Sequence, residues 1–310
     1  MGIFALGDIH ALKGKQKSGK SSVLKVCTAA LLTGQQFRVK SELDEPVVLF
    51  VDTEQQEADV KLVIDELKNM SQCSDEYINQ YLFLYSLRSR SYDTLLGDTR
   101  LLIERHHPHI VFIDGLVDYV ESFNDEKMSR TLIHKLLLLC NHYHCAIVNV
   151  LHENKGTDDA NMRGHLGTVL GQKAGTVLQC QKSKSGIISV TCPDSRHGVM
   201  PQWSICYDDN GHIINADLLK LQQEQAAREQ RAAVKQAERE VVLQTRLDVA
   251  KDIINDNGGS MLRNELTKRM EERMSLSRPV ISKFLSLMMK DGKLFETRKI
   301  ISLPSLSHAS

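Results

Sequence analysis

One segment, Gly14-Lys15-Gln16-Lys17-Ser18-Gly19-Lys20-Ser21, constrains this chain more than any other, because it matches the pattern G-x-x-x-x-G-K-[ST] in full. An apolar run at residues 9–12 precedes it, and a helical stretch at residues 22–32 follows it. A strand, a glycine-rich turn and a helix in this order surround a phosphate group with backbone N–H groups and a helix N-terminus. The segment therefore predicts an α/β domain that binds a nucleoside triphosphate.

Each residue type in this loop has a physical role. Gly14 and Gly19 lack the Cβ atoms that would keep the backbone away from a phosphate. Lys20 brings a positive charge to the β- and γ-phosphate oxygens on a side chain that we expect to be solvated, and Ser21 offers a hydroxyl to Mg²⁺. The predicted nucleotide-binding residues are Gly14, Lys15, Gln16, Lys17, Ser18, Gly19, Lys20, Ser21 and Ser22.

An apolar strand that ends in an acid supplies a second part of the site. Residues 110–113 read Ile-Val-Phe-Ile, and Asp114 follows them. A buried strand fixes the position of such a carboxylate, and we expect Asp114 to hold Mg²⁺ through water, in the Walker-B arrangement. An acid at a strand end is often only structural, but the phosphate-binding loop upstream favours the metal-binding role.

A second strand with acids at its carboxyl end covers residues 47–51, followed by Asp52-Thr53-Glu54. Open α/β sheets bind their ligands at this edge. Glu54 is the candidate general base, because a carboxylate that activates water for attack on a γ-phosphate must lie across the nucleotide from the phosphate-binding loop. The alternative is that Glu54 caps the helix that follows.

Apolar runs alternate with amphipathic helical stretches from residue 8 to about residue 207, as expected for a mainly parallel sheet with crossover helices. The runs cover residues 9–12, 47–51, 81–85, 110–113, 146–151 and 176–180. Two further runs, at 187–191 and 202–207, leave no room for a helix between them, so the sheet should close with antiparallel strands. We predict an α/β domain over residues 1–215.

The remainder of the chain has a different composition. Residues 216–244 are rich in Leu, Gln, Ala, Glu, Arg and Lys and contain neither Gly nor Pro, which predicts one long, solvated connecting helix. Three short helical stretches and a terminal β-element predict a small winged helix-turn-helix domain over 245–303. The Ser-rich tail at 304–310 is expected to be disordered.

Composition excludes several classes of protein. Lys and Arg number 39 and Asp and Glu number 39, so no global charge draws the chain to nucleic acid, and any such function must be local. The sequence has no run of eighteen apolar residues and no leader pattern at its amino end, which predicts a cytoplasmic protein without a membrane span. Its seven cysteines are scattered and form no C-x-x-C pair, as expected of core residues in a reducing compartment.

The order of these motifs resembles the RecA-type P-loop ATPases, and within them the hexameric replicative helicase branch of plasmid RepA and DnaB-type proteins. The resemblance covers roughly residues 7–211 and is carried by the phosphate-binding loop, the Asp52-Thr53-Glu54 strand end, the Walker-B strand and a strand ending in His152. It implies a RecA-like fold, ATP and Mg²⁺ as cofactors, and Glu54 as the catalytic glutamate. His152 would be a polar sensor of the γ-phosphate, although a histidine at a strand end is more often structural.

The same resemblance implies contacts to DNA and to a second subunit. The polar loop at 153–166 is similar to the loop that faces single-stranded DNA in the ring, where Lys155 and Arg163 could touch phosphates. Arg196 would be an arginine finger that reaches a neighbour's nucleotide, which implies a homo-oligomer, and in this family a hexamer. A surface loop and a plain hairpin arginine are the alternatives.

Local charge in the small domain suggests duplex DNA as a further partner. Residues 261–303 contain ten Lys or Arg against five Asp or Glu. If residues 278–290 form a recognition helix, Arg278 and Lys283 near its start could meet DNA. The alternative is a winged helix that docks onto protein, since the charge excess is small.

These features together predict an ATP-binding and ATP-hydrolysing protein associated with DNA: a helicase, or a replication or mobilisation ATPase of a plasmid or mobile element. The alternative hypothesis is a DNA-binding regulator or assembly factor that uses ATP as a switch and does not unwind DNA.

Overall fold

The computed structural model describes residues 3–154, 156, 159–196, 198 and 200–304. The chain divides into two compact units, Met1–Lys220 and Leu221–Ser310. Each unit has its own hydrophobic core.

The first unit alternates strands and helices, as the apolar runs predict. Its strands are β1 (Ile9–Gly14), β2 (Gln35–Gln36), β3 (Val39–Lys40), β4 (Val48–Asp52), β5 (Leu82–Ser86), β6 (Ile110–Asp114), β7 (Ala146–His152), β8 (Thr176–Lys182), β9 (Ile188–Ser195), β10 (Trp203–Tyr207) and β11 (Ile213–Asn215). Its helices are α1 (Lys20–Thr33), α2 (Glu57–Ser71), α3 (Asp75–Tyr81), α4 (Tyr92–His106), α5 (Glu126–Tyr143) and α6 (Gly164–Lys173), with a short 3₁₀ helix at Leu116–Tyr119.

Among the described residues, nine strands form the main sheet in the order β11-β10-β9-β8-β1-β7-β6-β4-β5. The six strands from β8 to β5 in this order are parallel, and β9, β10 and β11 extend the sheet with antiparallel pairings. The mainly parallel sheet with an antiparallel end is therefore confirmed. Because β1, β4, β6 and β7 run in the same direction, their carboxyl ends lie at one edge of the sheet.

Helices cover both faces of this sheet, because successive side chains of a strand point to opposite faces. In β4, Val48 and Phe50 belong to the core that contains α1, whereas Leu49 and Val51 belong to the core that contains residues of α4, α5 and α6. Strands buried on both faces are rigid, and they hold the residues at their carboxyl ends in fixed positions.

The second unit begins within a single long helix, α7 (Ala216–Asp256). The helix predicted over 216–244 thus continues for twelve residues beyond its predicted end. It includes residues 247–255, the first of the three short helical stretches predicted over 245–303. No glycine or proline interrupts it until Asn257-Gly258-Gly259, where two glycines with positive φ end it. Its last turns enter the small core through Leu247, Ala250 and Ile254.

Two helices and three short strands complete the second unit: β12 (Ser260–Leu262), α8 (Arg263–Met274), α9 (Arg278–Lys290), β13 (Phe295–Thr297) and β14 (Ile300–Ser302). The strands pair antiparallel in the order β12-β14-β13. The helices and the terminal hairpin occur where the sequence predicts them, and their assignment to a winged helix-turn-helix stays a prediction. Of the tail predicted over 304–310, residues 305–310 lie outside the described residues.

Within the part of the chain that the structure describes, no helix is both long and apolar enough to cross a membrane.

Candidate nucleotide-binding site

The glycine-rich loop joins the carboxyl end of β1 to the first turn of α1. Gly19 has a φ of 93° and Lys17 a φ of 61°, so the backbone turns through left-handed conformations just before the helix. A Cβ atom at Gly14 would lie 2.7 Å from the carbonyl oxygen of Cys180 on β8. The loop is therefore curled against β8, and its N–H groups lie at the N-terminus of α1, as a phosphate site requires.

Lys20 is buried, contrary to the expectation of a solvated side chain. Its ammonium donates to the carbonyl oxygens of Gly14 (3.2 Å) and Lys15 (2.9 Å) and lies 3.0 Å from Nδ1 of His152. Burial lowers the pKa of Lys20, and the carboxylate of Asp114 opposes that shift. The curled loop thus holds its own lysine over the place where a phosphate would bind.

Ser21 and Asp114 come together as the metal-binding hypothesis requires. The Ser21 hydroxyl donates to Oδ2 of Asp114 at 3.1 Å. In the sheet register, Asp114 on β6 lies beside Asp52 on β4, and both carboxylates are buried. A hydroxyl and a carboxylate at one point form an oxygen donor set that suits Mg²⁺ with its waters.

The burial of these carboxylates perturbs their protonation. Burial, with the charges of Asp52 and Glu54 as smaller causes, raises the pKa of Asp114 to about 7. Burial also raises the pKa of Asp52, while N–H donation from Gln55 (2.7 Å) and Glu54 (2.8 Å) opposes the shift. A cation at this position would favour the charged forms of both groups.

A pH-dependent stability follows for the metal-free protein. Because the folded-state pKa of Asp114 is about 7 and the ordinary aspartate value is 3.8, the folded state binds a proton more tightly than the unfolded state between these values. This contribution to stability is complete below about pH 4 and is lost as pH rises through about 7. We expect the Tm of the metal-free wild type to fall more between pH 5 and pH 8 than the Tm of Asp114→Asn, as measured by calorimetry. Parallel curves for the two proteins would contradict the shifted pKa.

Glu54 lies across this edge of the sheet from the loop. Its Oε1 is 3.5 Å from Nε2 of His152, and the hydrogen bond to His152 lowers the pKa of Glu54. The side chain remains half exposed, so a water molecule has access to it. The capping interpretation does not fit, because α2 begins at Glu57 with Gln56 at its N-cap and no side-chain bond there. Glu54, His152 and Lys20 form a continuous set of contacts.

Thr53, Gly115 and Asp118 fix the segment that carries Glu54. The Thr53 hydroxyl donates to Oδ2 of Asp118 at 2.7 Å, and a Cβ atom at Gly115 would clash with that hydroxyl. Gly115 has a φ of 110°, which a residue with a side chain rarely adopts. Sequence reasoning missed this group, although a glycine directly after a Walker-B acid is a signal that could have found it.

Two lysines tie the phosphate-binding loop and its strand to the loop after β7. Lys15 Nζ donates to the carbonyl oxygens of Asn154 (2.7 Å), Asp159 (3.2 Å) and Gly156. Lys13 Nζ donates to the carbonyl oxygen of Ala160 at 2.7 Å. The ammonium of Lys15 is therefore engaged with the neighbouring loop. Lys155, predicted to contact DNA from this loop, lies outside the described residues.

A cavity of about 600 Å³ adjoins the phosphate-binding loop on the side of β8. Buried Glu153 lies in its lining and accepts a hydrogen bond of 2.7 Å from Gln179. The other lining residues include four lysines: Lys15, Lys17, Lys182 and Lys184. In the first turn of α1, Ser22 Oγ lies 2.6 Å from the hydroxyl of Tyr207, whose side chain is exposed. Sequence reasoning singled out neither Glu153 nor Tyr207.

The remaining predicted residues lie elsewhere. The guanidinium of Arg163 lies 4.3 Å from the centre of the Phe123 ring, at the start of α6. Arg196 follows β9, which runs antiparallel to β8, so it lies at the sheet edge opposite the phosphate-binding loop. Its guanidinium donates to the carbonyl oxygens of Gln172 and Lys173, both at 3.4 Å. Arg196 therefore cannot reach a nucleotide bound to its own chain.

Comparison with known families decides the assignment of this site. A family model described as an AAA domain matches residues 1–158, which include the glycine-rich loop, Glu54, Asp114 and His152. The chain belongs to the AAA domain family. The AAA domain match covers half of the chain and ends before β8.

Comparison with solved structures agrees on the fold of this AAA domain protein. A crystal structure of the RadB recombinase superposes with a TM-score of 0.50 at 15% sequence identity, covering 68% of this chain and 91% of that chain. At this identity the likeness concerns the fold, which is RecA-like. No curated protein matches the sequence. Family and fold together describe a RecA-like P-loop ATPase, as the motifs predict.

Proposed function

We propose that this chain binds and hydrolyses ATP with Mg²⁺ and couples that reaction to DNA. The observation that carries the proposal is the meeting of five side chains at one sheet edge: Lys20, Ser21, Glu54, Asp114 and His152. They come from four different segments of the chain, and each has the chemistry that phosphoryl transfer to water requires.

In this proposal the loop binds the phosphates through its N–H groups, and Lys20 exchanges its carbonyl partners for phosphate oxygens. Ser21 and Asp114 would hold Mg²⁺, and the ion would supply positive charge for the phosphate oxygens. The fit is supported by the 3.1 Å contact between their oxygens. It is also supported by Gly14 and Gly19, where a Cβ atom would clash with Cys180 and Ile188 and so prevent the loop from curling. The exposed ring of Tyr207 suits contact with the nucleotide base.

Glu54 is the proposed base. Its carboxylate orients the attacking water and accepts its proton, and the contact with His152 keeps that carboxylate charged before the reaction. His152 touches both Glu54 and Lys20, so it is suited to sense whether a γ-phosphate is present. His152 would act through Glu54 and Lys20, so its proposed role is to position these two side chains.

The biological role that we propose is a DNA helicase, or a replication or mobilisation ATPase of a plasmid or mobile element. Single-stranded DNA would contact the loop after β7, with Lys155 and Arg163 as the proposed contacts, and the protein would act as a homo-oligomer. Since Arg196 is remote from the nucleotide site of its own chain, an arginine finger role for it requires a neighbouring subunit.

The decisive experiment measures ATP hydrolysis with and without single-stranded DNA, and then strand separation on a forked substrate. Stimulation by DNA together with ATP-dependent unwinding supports a helicase. Stimulation or ATP-dependent DNA binding without unwinding supports the alternative, an ATP-switched DNA-binding regulator or assembly factor. If DNA does not change the rate of ATP hydrolysis and the protein does not bind DNA, the proposed association with DNA is contradicted.

A prediction for the second unit follows from the proposed duplex contact through α9. Arg278 and Lys283 are exposed near the start of this helix. Replacing both with Gln should weaken duplex binding and reduce the slope of log K against log salt by about 1.8, since each phosphate contact contributes about 0.9. Fluorescence anisotropy over a salt series measures this slope.

The matched control replaces Lys268 and Arg273, which lie on α8 and cause the same change of net charge. It should leave the slope unchanged. If the α9 variant also binds duplex DNA as the wild type does, α9 makes no contact with DNA and the small unit becomes a candidate for docking onto protein.

A further inference from the structure

The long helix α7 carries a row of basic side chains that the ATPase chemistry does not use. Arg228, Arg231, Lys235 and Arg239 are all exposed. At about 100° per residue, these four positions fall within an arc of about 80° on the helix surface. They extend over about 16 Å along the helix axis, at a rise of about 1.5 Å per residue. We call these four residues the basic stripe.

The spacing of the basic stripe is unfavourable for an isolated helix. Arg231 and Lys235 are four residues apart, as are Lys235 and Arg239, so like charges are neighbours on the surface. Such pairs destabilise a helix by about as much as opposite charges stabilise it, roughly 0.2–0.5 kcal/mol each. An anion bound along the stripe would remove this repulsion.

Within the described residues, no side chain of the basic stripe forms an ion pair. Two acids, Glu224 and Glu238, fall on the same face, whereas Glu229 and Glu240 fall on a different face of α7. Four positive charges against two negative ones therefore remain, and they are arranged in a line.

We propose that the basic stripe binds the phosphate backbone of a nucleic acid. A line of cations about 16 Å long can contact several phosphates of a nucleic acid backbone at once. Three of the four residues are arginines, whose planar guanidinium groups bind phosphate oxygens in pairs. The contact is independent of base sequence, because it involves only the backbone.

A membrane surface and a second copy of the helix fit these observations less well. An amphipathic helix on a membrane buries large apolar or aromatic side chains, whereas the face beside the basic stripe is built from Ala227, Val234, Ala237 and Val241. If two copies of α7 packed with their basic stripes facing each other, the positive charges would repel each other. A polyanion is the partner whose charge complements the stripe.

The test replaces Arg228, Arg231, Lys235 and Arg239 with Gln in the full chain. Glutamine removes the charge but has a helix propensity close to that of Lys and Arg, so α7 should persist, and circular dichroism can check this. We measure binding of a duplex and of a single strand of equal length over a salt series. The variant should bind about tenfold more weakly at low salt, and its slope for duplex DNA should fall by about 1.8 to 3.6, corresponding to two to four lost contacts.

The matched control removes the same number of charges from exposed lysines of the first unit: Lys40, Lys61, Lys127 and Lys135. It should bind nucleic acid within about twofold of the wild type. Replacing Arg228, Arg231 and Arg239 with Lys keeps the charge and should retain the wild-type slope. A loss with duplex alone or with single strand alone identifies which form supplies the phosphates.

Several results would overturn the proposal. They are an unchanged slope in the stripe variant, an equal loss in the lysine control, or binding of the stripe to anionic lipid vesicles but not to DNA. The inference rests on the proposed association with DNA and not on catalysis, and the two can fail separately. The stripe variant should keep the DNA-free rate of ATP hydrolysis. A wild type that binds DNA but hydrolyses no ATP would contradict the proposed function without contradicting the proposed role of the basic stripe.

Discussion

Replacing Lys20 with methionine is expected to abolish measurable ATP binding and turnover. Lys20 is the lysine that the motif assigns to the β- and γ-phosphates, and its ammonium lies among the loop carbonyl oxygens and His152. Methionine keeps most of the buried stem but brings no charge to the phosphate oxygens. Isothermal titration with ATP and Mg²⁺, followed by a phosphate-release assay, measures both losses.

A stability measurement must accompany this variant, because the structure shows that Lys20 is buried and hydrogen-bonded. Removing the ammonium takes one donor from the carbonyl oxygens of Gly14 and Lys15, which still accept from the N–H groups of Glu153 (3.1 Å) and Ser18 (3.2 Å). The loss is therefore that of two hydrogen bonds to a charged group, about 1.5–3 kcal/mol each at most. A folded variant with a moderately lowered Tm separates loss of the ligand from loss of the fold. Wild-type ATPase activity in Lys20→Met would contradict the proposal that the glycine-rich loop binds ATP through Lys20.

Replacing Glu54 with glutamine should give the second large effect, a protein that binds ATP and hydrolyses it very slowly. Glutamine retains the size of the side chain but cannot accept a proton from water. We expect binding to stay within a few-fold of the wild type and the hydrolysis rate to fall by about 10²- to 10⁴-fold, the usual contribution of a general base. Single-turnover hydrolysis measures the chemical step apart from product release.

Two comparisons make the Glu54→Gln result specific. Glu57→Gln changes an exposed acid at the start of α2 and should leave the rate unchanged. Asp114→Asn should chiefly weaken Mg²⁺-dependent binding, because Asp114 contacts Ser21, whereas Glu54 contacts His152. Normal hydrolysis by Glu54→Gln would place the base elsewhere.

The edge of the sheet that carries the site was predictable because the motifs all follow apolar runs. If the apolar runs are parallel strands, the residues that follow them must lie at one edge of the sheet. The register confirms this, because it places Gly14 beside His152 and Asp52 beside Asp114. The continuous apolar runs and the glycine-rich loop were sufficient for this inference. The end of α7, in contrast, was predicted twelve residues too early, although Asn257-Gly258-Gly259 contains the first glycines or prolines after Ala216.

Contacts between distant residues were not predictable in the same way. Thr53 and Asp118 are 65 positions apart, and Lys15 and Asp159 are 144 apart, so no local pattern links them. The burial of Lys20 depends on how tightly the loop curls against β8, and sequence spacing does not set that. The position of Arg196 depends on the direction of β9, which is fixed by its antiparallel pairing with β8.

The bonds of Lys15 have a thermodynamic consequence. Lys15 belongs to the loop that would hold a nucleotide, and its three acceptors belong to the loop after β7. A nucleotide that draws the ammonium toward its phosphates would release these carbonyl oxygens, and a ligand on the second loop that displaces them would free the ammonium for the nucleotide. The two binding events would then share one coupling free energy, so that each ligand changes the affinity of the other by the same factor. Through this one lysine, a ligand bound to one loop would change the affinity of the other loop for its own ligand.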